Sequence, residues 1–230
     1  MARRRKALEG KIALVTGASS GIGRAIAIGL ARAGSDLIVV ARRARHLVEV
    51  VQRAESEGRR ALLVVGDVSQ ERTARRVIHQ ARLVFPRIDI LVNNAGLLLP
   101  EQPLHDLLLS EWDRALAVNL RGPFLFSRFV VPDMVAAGYG RVVNITGHAA
   151  TTRPRSGATA ASKAGLVALT RVMGRELRGT GVLVNALDPG RIRSEMSPNA
   201  GRAPERVVPL ALALASLPAS GPSGREFTVA

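Results

Sequence analysis

A chain of 230 residues with 47% hydrophobic side chains can bury one sizeable core, and a single α/β domain over 1–230 is expected. It has no cysteine, which excludes a disulfide framework and a thiolate metal centre, and its four histidines (46, 79, 105 and 148) lack metal-ligand spacing. The net charge of +15 invites a nucleic-acid reading, yet lysine occurs only at 6, 11 and 163, so 30 of the 33 basic residues are arginines scattered over several helices. With five Phe, one Tyr and one Trp available for base stacking, no specific nucleic-acid partner is expected, only weak, salt-sensitive adhesion to polyanions.

The N-terminal MARRRKALEGK is charged but is followed by no apolar leader region, and the apolar stretch 207–217 is too short for a bilayer and contains Pro209. A soluble cytoplasmic protein without a membrane partner is therefore expected. The first element is the apolar run Ile12–Val15, which feeds directly into a loop with glycines at 17, 21 and 23; helical spacing follows over 21–33. A buried strand, a glycine loop and a helix N-terminus form the layout of a phosphate-binding βα turn, in which free N–H groups and the helix dipole favour an anion.

Asp36–Ala41 reads as a second buried strand ending in Arg42-Arg43. In dinucleotide folds an acidic residue in that region holds a ribose 2′-hydroxyl, whereas arginine suits a 2′-phosphate, so NADP(H) is favoured over NAD(H). A helix over 45–57 stops at Gly58, and Ala61–Val65 forms a third strand closing on Asp67 and Val68. Ser69 reads as the N-cap of a polar helix that Pro86 ends near Phe85.

Ile88–Val92 is the fourth strand, running into Asn93-Asn94-Ala95-Gly96, a group able to lock a turn beside a ligand. A loop over 97–110 precedes a long helix from Ser110 to about Ala136, in which Pro123 and Pro132 predict a kink. Within it, Asn119 is a polar residue among apolar ones and reads as a satisfied core amide. Arg141–Ile145 is the fifth strand, followed by Thr146-Gly147-His148; a helix then runs from near Thr159 to Leu177 with Lys163 in its first turns. Val182–Leu187, a proline-bearing polar segment over 195–204, a short helix over 205–216 and a last strand, Glu226–Val229, complete the chain. Strands alternating with helices predict a parallel sheet covered on both faces.

TGASSGIG at 16–23, NNAG at 93–96, AVNL around Asn119, SKAG at 162–165 and DPG at 188–190 resemble, in order and spacing, the short-chain dehydrogenase/reductase family, and the 3-oxoacyl-carrier-protein reductases within it. The resemblance covers nearly the whole chain. It implies a seven-stranded Rossmann sheet, hydride transfer between a nicotinamide and a carbonyl or alcohol, and a homodimer or homotetramer. By this resemblance Gly17, Ser19, Ser20, Gly21, Ile22 and Gly23 cradle the phosphates; Arg42 or Arg43 takes the 2′-phosphate; Asp67 and Val68 take the adenine. Asn94, Ala95 and Gly96 line the adenosine side, Lys163 bonds the nicotinamide ribose, and Pro189, Gly190, Ile192 and Ser194 fix the carboxamide. Asn119 matches the anchor of a proton-relay water.

Two catalytic positions depart from the family pattern. Thr159 stands where the family has its acid, a tyrosine one helical turn before Lys163, and Gly147 stands where it has a serine. A threonine hydroxyl is far less acidic than a phenol, whose pKa starts near ~10, and is shorter in reach. Tyr139, the one tyrosine, precedes the fifth strand, about 26 Å from position 147 at ~3.3 Å per strand residue, and is excluded as a substitute. His148 adjoins the serine position and titrates near neutrality. The segment after Ser194 is also shorter than the family's substrate lid, which implies a more open pocket. The sequence thus supports an NADP(H)-dependent oxidoreductase with an atypical proton donor, such as a water held by Thr159, Asn119 and Lys163, or a nucleotide-binding pseudoenzyme that serves as a sensor or assembly subunit.

Overall fold

A computed structural model describes residues 6–147, 155–193 and 201–229. Seven parallel strands form one sheet: β1 (Ile12–Thr16), β2 (Asp36–Ala41), β3 (Ala61–Val65), β4 (Ile90–Asn93), β5 (Gly140–Ile145), β6 (Val182–Asp188) and β7 (Glu226–Thr228), in the order β3-β2-β1-β4-β5-β6-β7. The chain builds outward from β1 to β3, then returns to place β4 on the other side of β1. This reversal opens a crevice at the carboxyl ends of β1 and β4, where such sheets bind ligands.

Period-two alternation sorts the strand side chains into two cores. Ala13, Val15, Leu37 and Val39 face the layer of α1 (Gly21–Arg32), α2 (Ala44–Ser56) and α7 (Val208–Ala215). Ile12, Leu14, Ile38 and Val40 face α3 (Glu71–Val84) and α5 (Gly122–Ala136). Near-continuous apolar strands with both faces covered are what an all-parallel sheet requires.

Several local expectations are corrected. Ser69 is not the N-cap of α3; Gln70 is, because the Ser69 amide and hydroxyl both donate to Asp67 Oδ1 (2.9 and 2.8 Å) in a tight turn. The fourth strand begins at Ile90 rather than Ile88, since Asp89 turns its carboxylate to accept from the Ile12 amide (3.0 Å). The predicted long helix is two helices, α4 (Leu109–Leu116) and α5, joined by a π turn over Ala117–Arg121. The break therefore falls around Asn119, directly before Pro123 in the first turn of α5, as one of the two prolines predicts, and not at Pro132, which α5 contains. The last helix opens as a 3₁₀ turn, Pro204–Val207.

The amino end of the sheet is held by charged groups. Asp89 also pairs with Arg87 (2.8 Å) and Lys11 (3.6 Å). Arg141, 1% exposed, donates to the carbonyls of Leu217, Gly140 and Gly181. Tyr139 lies between the cations of Lys11 and Arg141, 3.5 and 4.3 Å from its ring centre. Burial pushes its phenol up, away from a proton-donor range, and its place before β5 keeps it at the far end of the sheet from Gly147, as expected.

Candidate functional site

At the crevice the loop after β1 and the loop after β4 interlock. Thr16 Oγ1 accepts from the amides of Asn94 (3.0 Å) and Ala95 (3.1 Å), and Asn94 Nδ2 donates to the carbonyls of Thr16 (3.0 Å) and Gly17 (3.2 Å). Asn94 thus acts first as a lock on the glycine loop. Gly17 has φ +66, and a Cβ there would lie 2.7 Å from Ala95 Cα; a Cβ on Gly23 would strike Asn94 Nδ2 and the Gly17 carbonyl. Only glycine fits at either place.

Helix α1, with Gly21, Ile22 and Gly23 in its first turn, starts from the extended N-cap Ser20, whose hydroxyl makes no capping bond. Its first N–H groups have no side-chain cap, the arrangement that receives an anion. Arg43 instead reaches the loop, donating from Nη2 to Ser20 Oγ (2.9 Å) and Ser19 Oγ (3.4 Å), while Arg42 is exposed beside it. Asp67 lies at the end of β3 with Oδ1 engaged by Ser69. Val68 is buried, with its side chain beside Gly122.

The second half of the site is built by α6 (Gly157–Glu176), the π turn and the end of β5. Lys163, 8% exposed, donates from Nζ to the Ile145 carbonyl (2.8 Å). Burial pulls its ammonium down to about 8. A Cβ on Gly96 would lie 3.6 Å from that nitrogen and 3.5 Å from Asn119 Oδ1, so Gly96, Lys163 and Asn119 meet at one point.

Asn119 is fully buried and bonded at both ends of its amide. Its Oδ1 accepts from the Leu97 amide (2.7 Å), and its Nδ2 donates to the Leu97 carbonyl (2.9 Å) and to Ser162 Oγ (3.0 Å). Ser162 in turn donates to the Thr159 carbonyl (2.9 Å). Asn119 therefore clamps the 97 segment to α6, as a satisfied core amide does, with both Nδ2 donors and one of the two Oδ1 acceptor positions in use. The π turn supplies the extra residue that aims it there. Ser162 belongs to this clamp, although only its place in SKAG marked it in the sequence.

Thr159 is 4% exposed and borders a crevice of about 10 Å³ with Leu99, Leu104 and Leu107, room for one water at most. Gly147 lies at φ +140, with no described residue within 4 Å of a Cβ built on it. The described residues thus do not crowd a serine there, but the backbone is one that side chains rarely adopt. Thr146 turns away, donating to Glu226 Oε1 (2.9 Å) beside β7. Beyond β6, Asp188 Oδ1 accepts from the Gly190 amide (2.8 Å) after Pro189, and buried Ile192 bridges to Arg202. His148, Ser194 and the 195–200 part of the proposed lid lie outside the described residues.

A nicotinamide dinucleotide fits these residues: uncapped helix N–H groups at a glycine loop, a guanidinium on that loop, and a buried cation at the crevice floor. Among the described residues no cluster of three His, Asp or Glu could hold a metal, and no helix is long and apolar enough to cross a membrane.

Comparison with known proteins agrees with this architecture. The model of the family described as short chain dehydrogenase matches residues 11–205. A short chain dehydrogenase of Pseudocercospora fijiensis is 38% identical over 194 residues, covering 82% of this chain and 62% of that protein's length. The 3-oxoacyl-[acyl-carrier-protein] reductase of Synechocystis is 36% identical over 208 residues, covering 89% and 84%. A crystal structure of a 3-oxoacyl (acyl-carrier-protein) reductase from Agrobacterium tumefaciens C58 with NADP bound superposes with a TM-score of 0.89 at 33% identity, covering 96% of this chain and 93% of that one.

Proposed function

Because the chain belongs to the short chain dehydrogenase family, we propose that it is an NADP(H)-dependent oxidoreductase acting on a carbonyl or alcohol substrate with an atypical proton donor. The observation that carries this reading is the interlocked crevice: Thr16 and Asn94 hold the glycine loop, and Arg43 lies on the serines of that loop. A bound nicotinamide dinucleotide would supply or accept the hydride. The Gly17–Gly23 loop and the α1 N-terminus would hold its diphosphate, and Arg43, with Arg42 beside it, its 2′-phosphate. Asp67 and Asn94–Gly96 would flank the adenosine side, Lys163 the nicotinamide ribose, and Pro189–Ile192 the carboxamide.

Lys163 holds a proton beside Gly96 and Asn119 at neutral pH and releases it at about pH 8. Among the described residues it is the group best placed to feed a proton, through water, to an oxyanion at the Thr159 position. Neither Thr159 nor Gly147 supplies the acid or the oxygen-orienting hydroxyl that the family pattern holds there, and losing a general acid commonly costs about 10²–10⁴ in rate.

That same deficit favours a second reading, a nucleotide-binding pseudoenzyme that works as a sensor or as a subunit of an assembly. Calorimetric titration with NADPH and NADH, followed by a carbonyl turnover screen, separates the two. NADPH should bind more tightly than NADH, and Arg43→Ala should weaken NADPH about 10-fold or more, consistent with a charge-assisted contact, while leaving NADH unchanged. Binding without turnover selects the pseudoenzyme; binding of neither nucleotide overturns both readings.

A further inference from the structure

A broad cleft lies away from the crevice. It has a volume of about 1210 Å³ and runs from the amino end of β6 along β7, between the last turns of α6 and the 219–225 loop. Arg171 and Arg175 line it from the last turns of α6, at i and i+4, Arg178 from the turn just past the helix end, and Arg225 from the loop. The i, i+4 spacing sets the first two guanidinium groups on one helix face, and the following turn adds the third at the same end of the cleft. The loop is seated against them because Gly174 has no side chain: a Cβ there would strike the backbone of Gly224.

None of the four guanidinium groups has a hydrogen bond or ion pair with another described residue. The one carboxylate in the lining, Glu226, accepts from the Thr146 hydroxyl at the far end of the cleft. The α6 C-terminus accounts for a cation or two through its dipole, but not for a fourth on the opposing loop. The lining contains no aromatic ring, and its apolar side chains are only Leu177, Val182, Leu183 and Ala219. Such a surface offers nothing for a nucleobase to stack on and little for a hydrocarbon. It matches an elongated anion of high charge density, and a row of arginines suits tetrahedral phosphate through paired N–H donors.

We propose that this cleft binds a linear polyphosphate, at a site separate from the nucleotide crevice. The test titrates the full chain, without nucleotide, with orthophosphate, tripolyphosphate and a longer linear polyphosphate at two salt concentrations. Affinity should rise with phosphate chain length. The triple variant Arg171→Ala, Arg175→Ala, Arg178→Ala replaces two exposed helix residues and one exposed turn residue and should keep its fold, as a thermal melt would show. It should lose about 100-fold or more in affinity for the longer chain, with a shallower salt dependence.

A charge-matched control removes Arg72, Arg114 and Arg206, which are exposed and lie outside the cleft. Its affinity should change less than about 3-fold, the size expected of a general charge effect. Equal losses in the two triple variants would assign binding to overall charge and overturn the proposal. Displacement of the polyphosphate by NADPH would put it in the glycine loop and overturn the proposal as well.

Discussion

The two halves of the crevice are built to different standards. On the β1–β4 side, Thr16 and Asn94 are bonded at more than one atom, and Gly17 and Gly23 are packed so closely that a methyl group has no room. On the β5–α6 side, the frame of Asn119, Ser162 and Lys163 is equally well bonded, but the two positions that should project chemistry into the crevice end in Gly147 and Thr159. Nucleotide binding in this fold is carried by backbone and by amide locks, whereas proton delivery rests on single side chains. The second can be lost while the first is kept.

The largest expected change comes from restoring one side chain to the poorer half. Thr159→Tyr sets a phenol one helical turn from Lys163 and should raise kcat/KM on a reducible carbonyl by about 10²–10⁴, measured by NADPH consumption. Adding Gly147→Ser should contribute less, because φ +140 forces the backbone to shift before a hydroxyl is useful. No gain from either variant would mean that more than an acid is missing from the β5–α6 side.

Next in size is the buried cation that the two halves share. With the Lys163 ammonium depressed from 10.5 to about 8, the unfolded chain binds more protons than the folded one between those values, so stability from this group rises with pH across that window. Below pH 8 the burial cost is fully present, on the order of 3 kcal/mol. Lys163→Met should therefore raise Tm at pH 7, partly offset by about 1 kcal/mol for the lost bond to the Ile145 carbonyl, and the advantage should fade by pH 10.5. Thermal unfolding of both proteins across that range reads the sign directly. Turnover by the wild type should fall as pH rises through about 8.

The smallest effect tests the tighter half. Gly23→Ala overpacks the glycine loop against Asn94 and the Gly17 carbonyl, at a cost of about 1–3 kcal/mol. It should lower Tm and weaken NADPH binding about 10- to 100-fold by calorimetry. Unchanged affinity would mean that the loop is looser than its contacts imply.

Much of this was legible in the sequence, because strands that pack on both faces are continuous apolar runs; β2 and β3 match their predicted bounds residue for residue. The glycine loop was legible for the same reason that it works, since glycine at 17, 21 and 23 has no other local purpose. What escaped depends on partners distant in sequence. No local pattern marks Asp89 as the residue that leaves β4 to bond Ile12, or Thr16 as the acceptor for two amides of the next crevice loop. The π turn itself escaped because one extra residue in a helix barely disturbs apolar periodicity; Pro123 marked the break beside it, whereas Pro132 lies inside α5. The left-handed backbone at Gly147 escaped because a missing side chain says nothing about φ.

The bond from the Ile12 amide to Asp89 spans 77 residues, and β1 with β4 is the most sequence-distant pairing in the sheet. Closing a loop of that length costs about 4 kcal/mol of chain entropy, beyond a constant term, as (3/2)RT ln n requires. The crevice is thus the seam of the molecule, joined at the greatest entropic expense and held at its lower end by a buried carboxylate. Any molecule that bridges the upper ends of β1 and β4 closes the same seam from the other side.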